Sequence, residues 1–239
     1  MKKFLALIAV LAIILFGLLE IVLPKVLTGV LKDQVSEITA AQETDLEVNS
    51  SPYAKIAFGE IDGLHCSTGA GRIGDLDVRS MSLDGEKIML DIPEILFPSQ
   101  DLSSHEHANK ILRSAGKLEL KGVVGEDDLK SFLERKVDKL QNLEIKMTAQ
   151  EITASANLKI LGRNADVDLA GIIIADEGDL YFRMTRLNVK NALLRHVQLD
   201  KFFGDLKITD RVNLPLNLKF DSVELRDGEA LVVAVYDKK

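Results

Sequence analysis

The sequence predicts an α+β protein: a strongly curved antiparallel sheet and an amphipathic helix, behind an N-terminal transmembrane or signal helix. Three observations predict it. An uncharged apolar run opens the chain, a stripe of helical period follows, and most of the remainder alternates apolar with polar residues.

The first element is the apolar run. Met1-Lys2-Lys3 precede sixteen uncharged residues, Phe4 to Leu19. Glu20 interrupts, and Ile21-Val22-Leu23 carry the run to Pro24. About 20 residues suffice to cross a bilayer core. The lysine pair ahead of the run sets the N-terminus in the cytoplasm. The readings are a retained signal-anchor helix or a cleaved signal peptide. Retention is favoured, because the residues after the run are bulky where a cleavage site wants small ones, and Ala40-Ala41 lies too far on. No cysteine sits just after the run, which excludes a lipoprotein anchor. The expected division is residues 1–23 for this segment and 24–239 for the folded domain.

The second element is a helix. Leu23, Val26, Leu27, Val30, Leu31, Val35 and Ile38 keep helical spacing, while Lys25, Lys32, Asp33, Gln34 and Glu37 take the other face. Pro24 suits its first turn. The stripe is expected to pack on a sheet. Lying flat on a bilayer is the minor reading, since the polar face is not strongly basic.

Residues 42–54 are polar and turn-rich and read as a loop. Strand patterns follow: Leu118 and Leu120; Leu143, Ile145 and Met147; Ile152, Ala154, Ala156, Leu158 and Ile160; Val167 and Leu169. Ile172-Ile173-Ile174 is apolar on both faces. One helix is expected near 126–140, with the stripe Leu129, Phe132, Leu133, Val137 and Leu140 and with Glu126-Asp127-Asp128 at its positive end. A short helix or turn is expected over 191–204.

Three strands slip phase. Leu76 and Val78 give way to Met81 and Leu83. Leu180, Phe182 and Met184 give way to Leu187 and Val189. Leu214, Leu216, Leu218 and Phe220 give way to Val223 and Leu225. A residue too many is a β-bulge, and repeated bulges curve a sheet. Two of the slips lie in similar segments ending in Asp84-Gly85 and Asp227-Gly228, each a tight-turn signal. An internal repeat and convergence on one hairpin explain this equally.

Composition narrows the function. The chain has 239 residues, 46% hydrophobic and 28% charged, enough for a real core. A net charge of -7 repels phosphate backbones and argues against nucleic acid. Trp is absent and aromatics are 5%, too few for surfaces that stack sugars or bases. Cys66 is the one cysteine, so stability rests on burial and not on a disulfide.

No motif carries chemistry. Gly69-Ala70-Gly71-Arg72-Ile73-Gly74 has a dinucleotide-binding glycine pattern, but strand alternation follows it where a helix is needed, so it reads as a flexible loop. His65-Cys66 lacks a base or oxyanion donors beside it. His105 and His107 fall in a polar stretch, Ser99 to Asn109, that reads as a surface loop and not a zinc frame. His196 stands alone. Asn49-Ser50-Ser51 fits a glycosylation acceptor, relevant only in a eukaryotic secretory route. No catalytic residue, metal or cofactor is expected.

An ordered series of segments carries a resemblance. They are Ile56-x-Phe58-Gly59-x-Ile61-Asp62-Gly63-Leu64, then Leu83-Asp84-Gly85-Glu86-x-Ile88-x-Leu90-Asp91, then Gly125-Glu126-x-Asp128-Leu129-x-x-Phe132-Leu133. Leu187-x-Val189-x-Asn191 follows, and then Leu214-Pro215-Leu216-x-Leu218-x-x-Asp221-Ser222-Val223-Glu224-Leu225-x-Asp227-Gly228. Over about residues 23–236 the chain resembles the LmeA family of phospholipid-binding proteins of bacterial envelopes. The resemblance implies a long, strongly curved antiparallel sheet wrapped around a helix, similar to tubular lipid-binding folds, with an apolar groove for acyl chains. The expected function is non-enzymatic phospholipid binding, with lipid transfer or envelope maintenance as its use. The domain would sit outside a bacterial membrane on its single-pass helix, or be secreted or periplasmic after cleavage. The expected groove walls are Leu27, Val30, Leu31, Phe132, Leu169, Phe182, Leu216, Leu218 and Phe220, with ordinary core expected for more than half of them. The alternatives are a structural or adaptor module binding other envelope proteins, and a lipid or glycan hydrolase.

Overall fold

Alternating apolar residues build two antiparallel sheets in the computed structural model, which describes residues 22, 25–33, 35–37, 39–41, 43–97, 104–136, 140–160, 163–190 and 205–238. The first sheet has six strands, in the order β1 (Thr44–Asn49), β2 (Glu60–Thr68), β5 (Ser80–Leu90), β6 (Leu112–Gly125), β13 (Glu229–Tyr236), β12 (Leu218–Arg226). The second has five, in the order β11 (Leu206–Thr209), β10 (Asp179–Val189), β9 (Arg163–Asp176), β8 (Ile152–Ile160), β7 (Leu140–Met147). A separate hairpin joins β3 (Gly71–Ile73) to β4 (Leu76–Val78).

Helix α1 occupies residues within 25–39. Helices α2 (Ile92–Leu96) and α3 (Ser104–Ile111) lie between β5 and β6, and α4 (Glu126–Lys136) joins the two sheets. The end charges of α4 follow its dipole: Glu126, Asp127 and Asp128 open it, and Arg135 and Lys136 close it. The Asp128 carboxylate accepts from the Gly125 N–H at 2.7 Å, satisfying a donor before the first turn. Its stripe, Leu129, Phe132 and Leu133, is buried.

The first sheet curls into a half-barrel. Bulges supply curvature. The register of β12 on β13 shifts between Phe220 and Ser222, and that of β5 on β6 shifts at Leu90. In the second sheet β10 slips on β9 between Met184 and Arg186. Two of the three expected phase slips are therefore bulges. The slip after Leu76 and Val78 is instead a break between two strands: β4 pairs with β3, while β5 pairs with β2 and β6.

Other expectations are corrected. Residues 42–54 contain strand β1, because Thr44, Leu46 and Val48 point inward between exposed Asp45, Glu47 and Asn49. The glycine-rich 69–74 segment forms the β3–β4 hairpin. Asp84-Gly85 is no turn: both residues sit inside β5, paired on both edges. A side chain at Gly85 would meet Ile88 Cδ1 at 2.6 Å, so the glycine makes room for a neighbour. Asp227-Gly228 does turn the chain, between Arg226 and Glu229, which form the last pair of β12 and β13. The two segments thus differ in structure, which removes the hairpin resemblance. The supposed loop Ser99 to Asn109 includes the start of α3, held by buried Ala108 and Ile111. Leu140 belongs to β7, not to α4. Leu214 and Leu216 precede β12. Leu216 and Asn217 have φ of 61° and 52°, so the chain turns there before extending.

Among the described residues no helix is long and apolar enough to cross a membrane. The apolar run at 1–21 and the segment at 191–204 lie outside the described residues.

Candidate functional site

The concave face of the first sheet is built from bulky apolar side chains. Leu64 and Cys66 on β2 face Leu83 on β5, and Leu118 and Leu120 follow on β6. Leu46 on β1 extends the wall on one side and Leu218 on β12 on the other. One helix crosses this face: Leu31, Val35 and Thr39 of α1 look onto it. A round helix over a curved wall of long side chains leaves space between them. The result is an apolar cavity of about 120 Å³.

Its ends differ. At one end stand Ala108 and Ile111 of α3, Leu112, and the turn Pro215–Leu216. The Asn217 N–H donates to Asn109 Oδ1 at 2.9 Å, pinning that turn to α3. At the other end stands the β3–β4 hairpin, contributing Arg72, Ile73 and Gly74. Gly74 has a φ of +59°, and a Cβ there would sit 2.2 Å from Thr209 Oγ1, so only glycine lets the hairpin press against β11.

Among the described residues, Arg72 is the one charged residue lining the cavity. Its side chain is 54% exposed, so the lining meets water at this end. Arg72 Nε–H donates to Asp77 Oδ1 at 3.0 Å, and Arg135 donates to Asp77 Oδ2 at 2.7 Å. Partial burial alone would raise the Asp77 carboxyl, but the bonds from Arg135 and Arg72 outweigh it and hold the group below the usual carboxylate range.

The cavity offers little for catalysis. Burial pushes the Cys66 thiol up to about 11, aided by the Asp45 carboxylate, so at neutral pH it is an unreactive neutral group in an apolar wall. His65 points the other way and is exposed, its Nδ1 2.6 Å from Asp84 Oδ1. That hydrogen bond raises its pKa above the ordinary value. Among the described residues no three His, Cys, Asp or Glu side chains converge as a metal would need.

Of the nine expected wall residues, the structure brings Leu31, Leu216 and Leu218 to the cavity. Leu27 and Val30 seat α1 beside it, Leu27 buried and Val30 partly so. Phe220 is buried in the sheet core, and Phe132 is on the buried face of α4. Phe182 is core of the second sheet. Leu169 borders a shallow polar depression there, with Glu144, Lys146 and Arg186. Among the described residues, those of 140–209 contribute nothing to the apolar cavity. Sequence reasoning missed Met81, Leu83, Leu118 and Leu120, although the last two stand out by alternation. It also missed Arg72, hidden in a glycine pattern.

A curled antiparallel sheet with an apolar cavity under one helix is the architecture of a protein that shelters a hydrophobic ligand. This chain belongs to the LmeA-like phospholipid-binding family, whose model matches residues 17–234. No curated protein and no solved structure matches it.

Proposed function

We propose that this protein binds a phospholipid without catalysing a reaction, burying acyl chain between α1 and the concave face of the first sheet. The observation that carries this is the cavity: walls of Leu, Ile, Val and Met, with one exposed arginine among the described lining residues. Leu31, Leu216 and Leu218 are its candidate lipid contacts. In this reading the half-barrel is the trough and α1 its cover, as in a tubular lipid-binding fold.

The size of the cavity sets the mechanism. Small-molecule pockets run from about 300 Å³ upward, so this one takes only part of a chain as it stands. Admitting more requires α1 to lift. Lifting α1 uncovers buried Leu27 and partly buried Val30, Leu31 and Val35, at a cost of roughly 4–7 kcal/mol together. Ten methylenes withdrawn from water return about 8 kcal/mol. Against a bilayer, where the tails are already dry, the exchange is close to even, which suits a protein that releases what it takes. Transfer or maintenance of envelope lipid follows as the use. The 1–23 segment would tether the domain on the outer face of a bacterial membrane, or direct its export and be removed.

A second reading is a structural or adaptor module. It draws on Phe58 and Phe97, exposed at 78% and 80%. Phe58 precedes Gly59, which bonds Leu90, and Phe97 caps the short helix after Leu90, so both lie at one end of the sheet.

Residues 25–239, purified without detergent, are extracted with organic solvent and the lipid is weighed by mass spectrometry. Near-stoichiometric phospholipid is expected. Leu64→Trp, which fills the cavity from its wall, is expected to carry at least about tenfold less while remaining folded. A folded wild type that is empty, and takes nothing from added vesicles, would sink the lipid reading and favour the adaptor.

A further inference from the structure

The geometry points to Arg72 as the residue that receives the lipid's phosphate, giving the bound lipid a fixed polarity: headgroup at the β3–β4 hairpin, chains toward α3. This rests on the lipid-binding reading above and adds a headgroup specificity to it.

Among the described residues, Arg72 is the one exposed residue lining the cavity, and the one charged residue. A lipid whose chains fill the cavity leaves its headgroup where the lining meets water, and Arg72 is the described lining residue that water reaches most. Arg72 is also held in a particular way. Only its Nε–H is engaged, by Asp77. Asp77 is itself fixed on its other oxygen by Arg135, which also donates to the Asp75 carbonyl. Among the described residues, the two terminal amino groups of Arg72 have no hydrogen-bond partner. An arginine oriented through Nε and free at both Nη atoms presents parallel donors, the geometry that phosphate oxygens accept.

The local charge agrees. Asp75 takes Lys136 at 2.8 Å, so within this network three cations, Arg72, Arg135 and Lys136, meet two carboxylates, Asp75 and Asp77. A monoanionic phosphodiester would complete the balance. The chain as a whole is acidic, at -7, so this is a local feature and not a general attraction to anions.

The test uses the full chain reconstituted in phosphatidylcholine vesicles. The vesicles carry a trace of phosphatidylglycerol or of diacylglycerol, each with the same photoactivatable acyl chain. Crosslinks are mapped by mass spectrometry to cavity peptides. Wild type is expected to label with phosphatidylglycerol about tenfold more than with diacylglycerol, the scale of one charge-assisted bidentate pair. Arg72→Gln is expected to lower the phosphatidylglycerol signal to the diacylglycerol level and leave the diacylglycerol signal unchanged. Unchanged diacylglycerol labelling also reports an intact cavity. Arg72→Lys, which keeps the charge but loses the fork, is expected to fall between. An unaltered ratio in both variants would overturn the assignment while leaving lipid binding in place. Labelling by neither lipid in wild type would overturn both. Excess inorganic phosphate is expected to change nothing; displacement of phosphatidylglycerol by it would show a free-ion site instead.

Discussion

Helices α1 and α4 pack against the strands in different ways. Helix α4 buries Leu129 and Phe132 completely, caps its N-terminus through Asp128, and matches its charges to its dipole. Helix α1 keeps Val30, Leu31 and Val35 only partly buried, exposes Val26, and carries Gly29 in mid-helix with nothing within 4 Å. The sheets differ to match. The second sheet turns Ala154, Ala156 and Gly171 inward, and the Phe182 ring settles over Gly171 and closes the core. The first turns Leu64, Met81, Leu83, Leu118 and Leu120 inward, and one helix cannot fill the space above them. One half of the protein is sealed for stability, and the other is left loosely covered where a ligand would enter.

The contrast is sharpest in stability. Phe132→Ala on the buried face of α4 is expected to cost about 3–5 kcal/mol, since it opens a void in a sealed core. Leu31→Ala in α1 is expected to cost only about 1 kcal/mol, because half of that side chain already faces space or solvent. Denaturant titration of both variants measures the pair; equal losses would mean that α1 is as firmly seated as α4. A gain is expected from Gly29→Ala, about 1 kcal/mol in helix propensity with no clash. Hydrogen exchange on α1 amides should slow accordingly, and lipid uptake should slow with it if the helix is a cover.

The smallest effect concerns His65. Its folded pKa is raised by the bond to Asp84, so that contribution is complete below about pH 6.5 and fades as pH rises through the folded value. The thermal midpoint should therefore decline slightly on going from mildly acidic to mildly alkaline buffer. His65→Gln should remove the slope. An unchanged slope would place the titration elsewhere.

Much of this was legible along the chain. The bulges in β10 and β12 show as phase slips, because one extra residue reverses which side chains face inward. Helix α4 shows in its stripe and its acidic first turn. Strand β1 was hidden because Asp45, Glu47 and Asn49 dominate its composition, although Thr44, Leu46 and Val48 face inward. Asp84-Gly85 and Asp227-Gly228 are the same dipeptide with opposite outcomes. The first has partner strands on both sides and must continue, whereas the second has reached the end of its ladder and turns.

The candidate site divides along the same line. Alternation by itself determined that the chain forms antiparallel sheets, with apolar residues on one face and a matching amphipathic helix, because side-chain direction in strands and helices is periodic. Only the tertiary structure decided which apolar residues seal and which leave a gap. Phe132 and Phe182 look like groove walls in the sequence and are core, while Met81 and Leu83 line the cavity. Nor does a glycine-rich segment announce that its arginine will stand exposed beside the cavity. That depends on Gly74 pressing the hairpin onto β11 and on Asp77 and Arg135 arriving from elsewhere in the chain. Cavities arise from the mismatch of surfaces distant in sequence, and no local pattern records that mismatch.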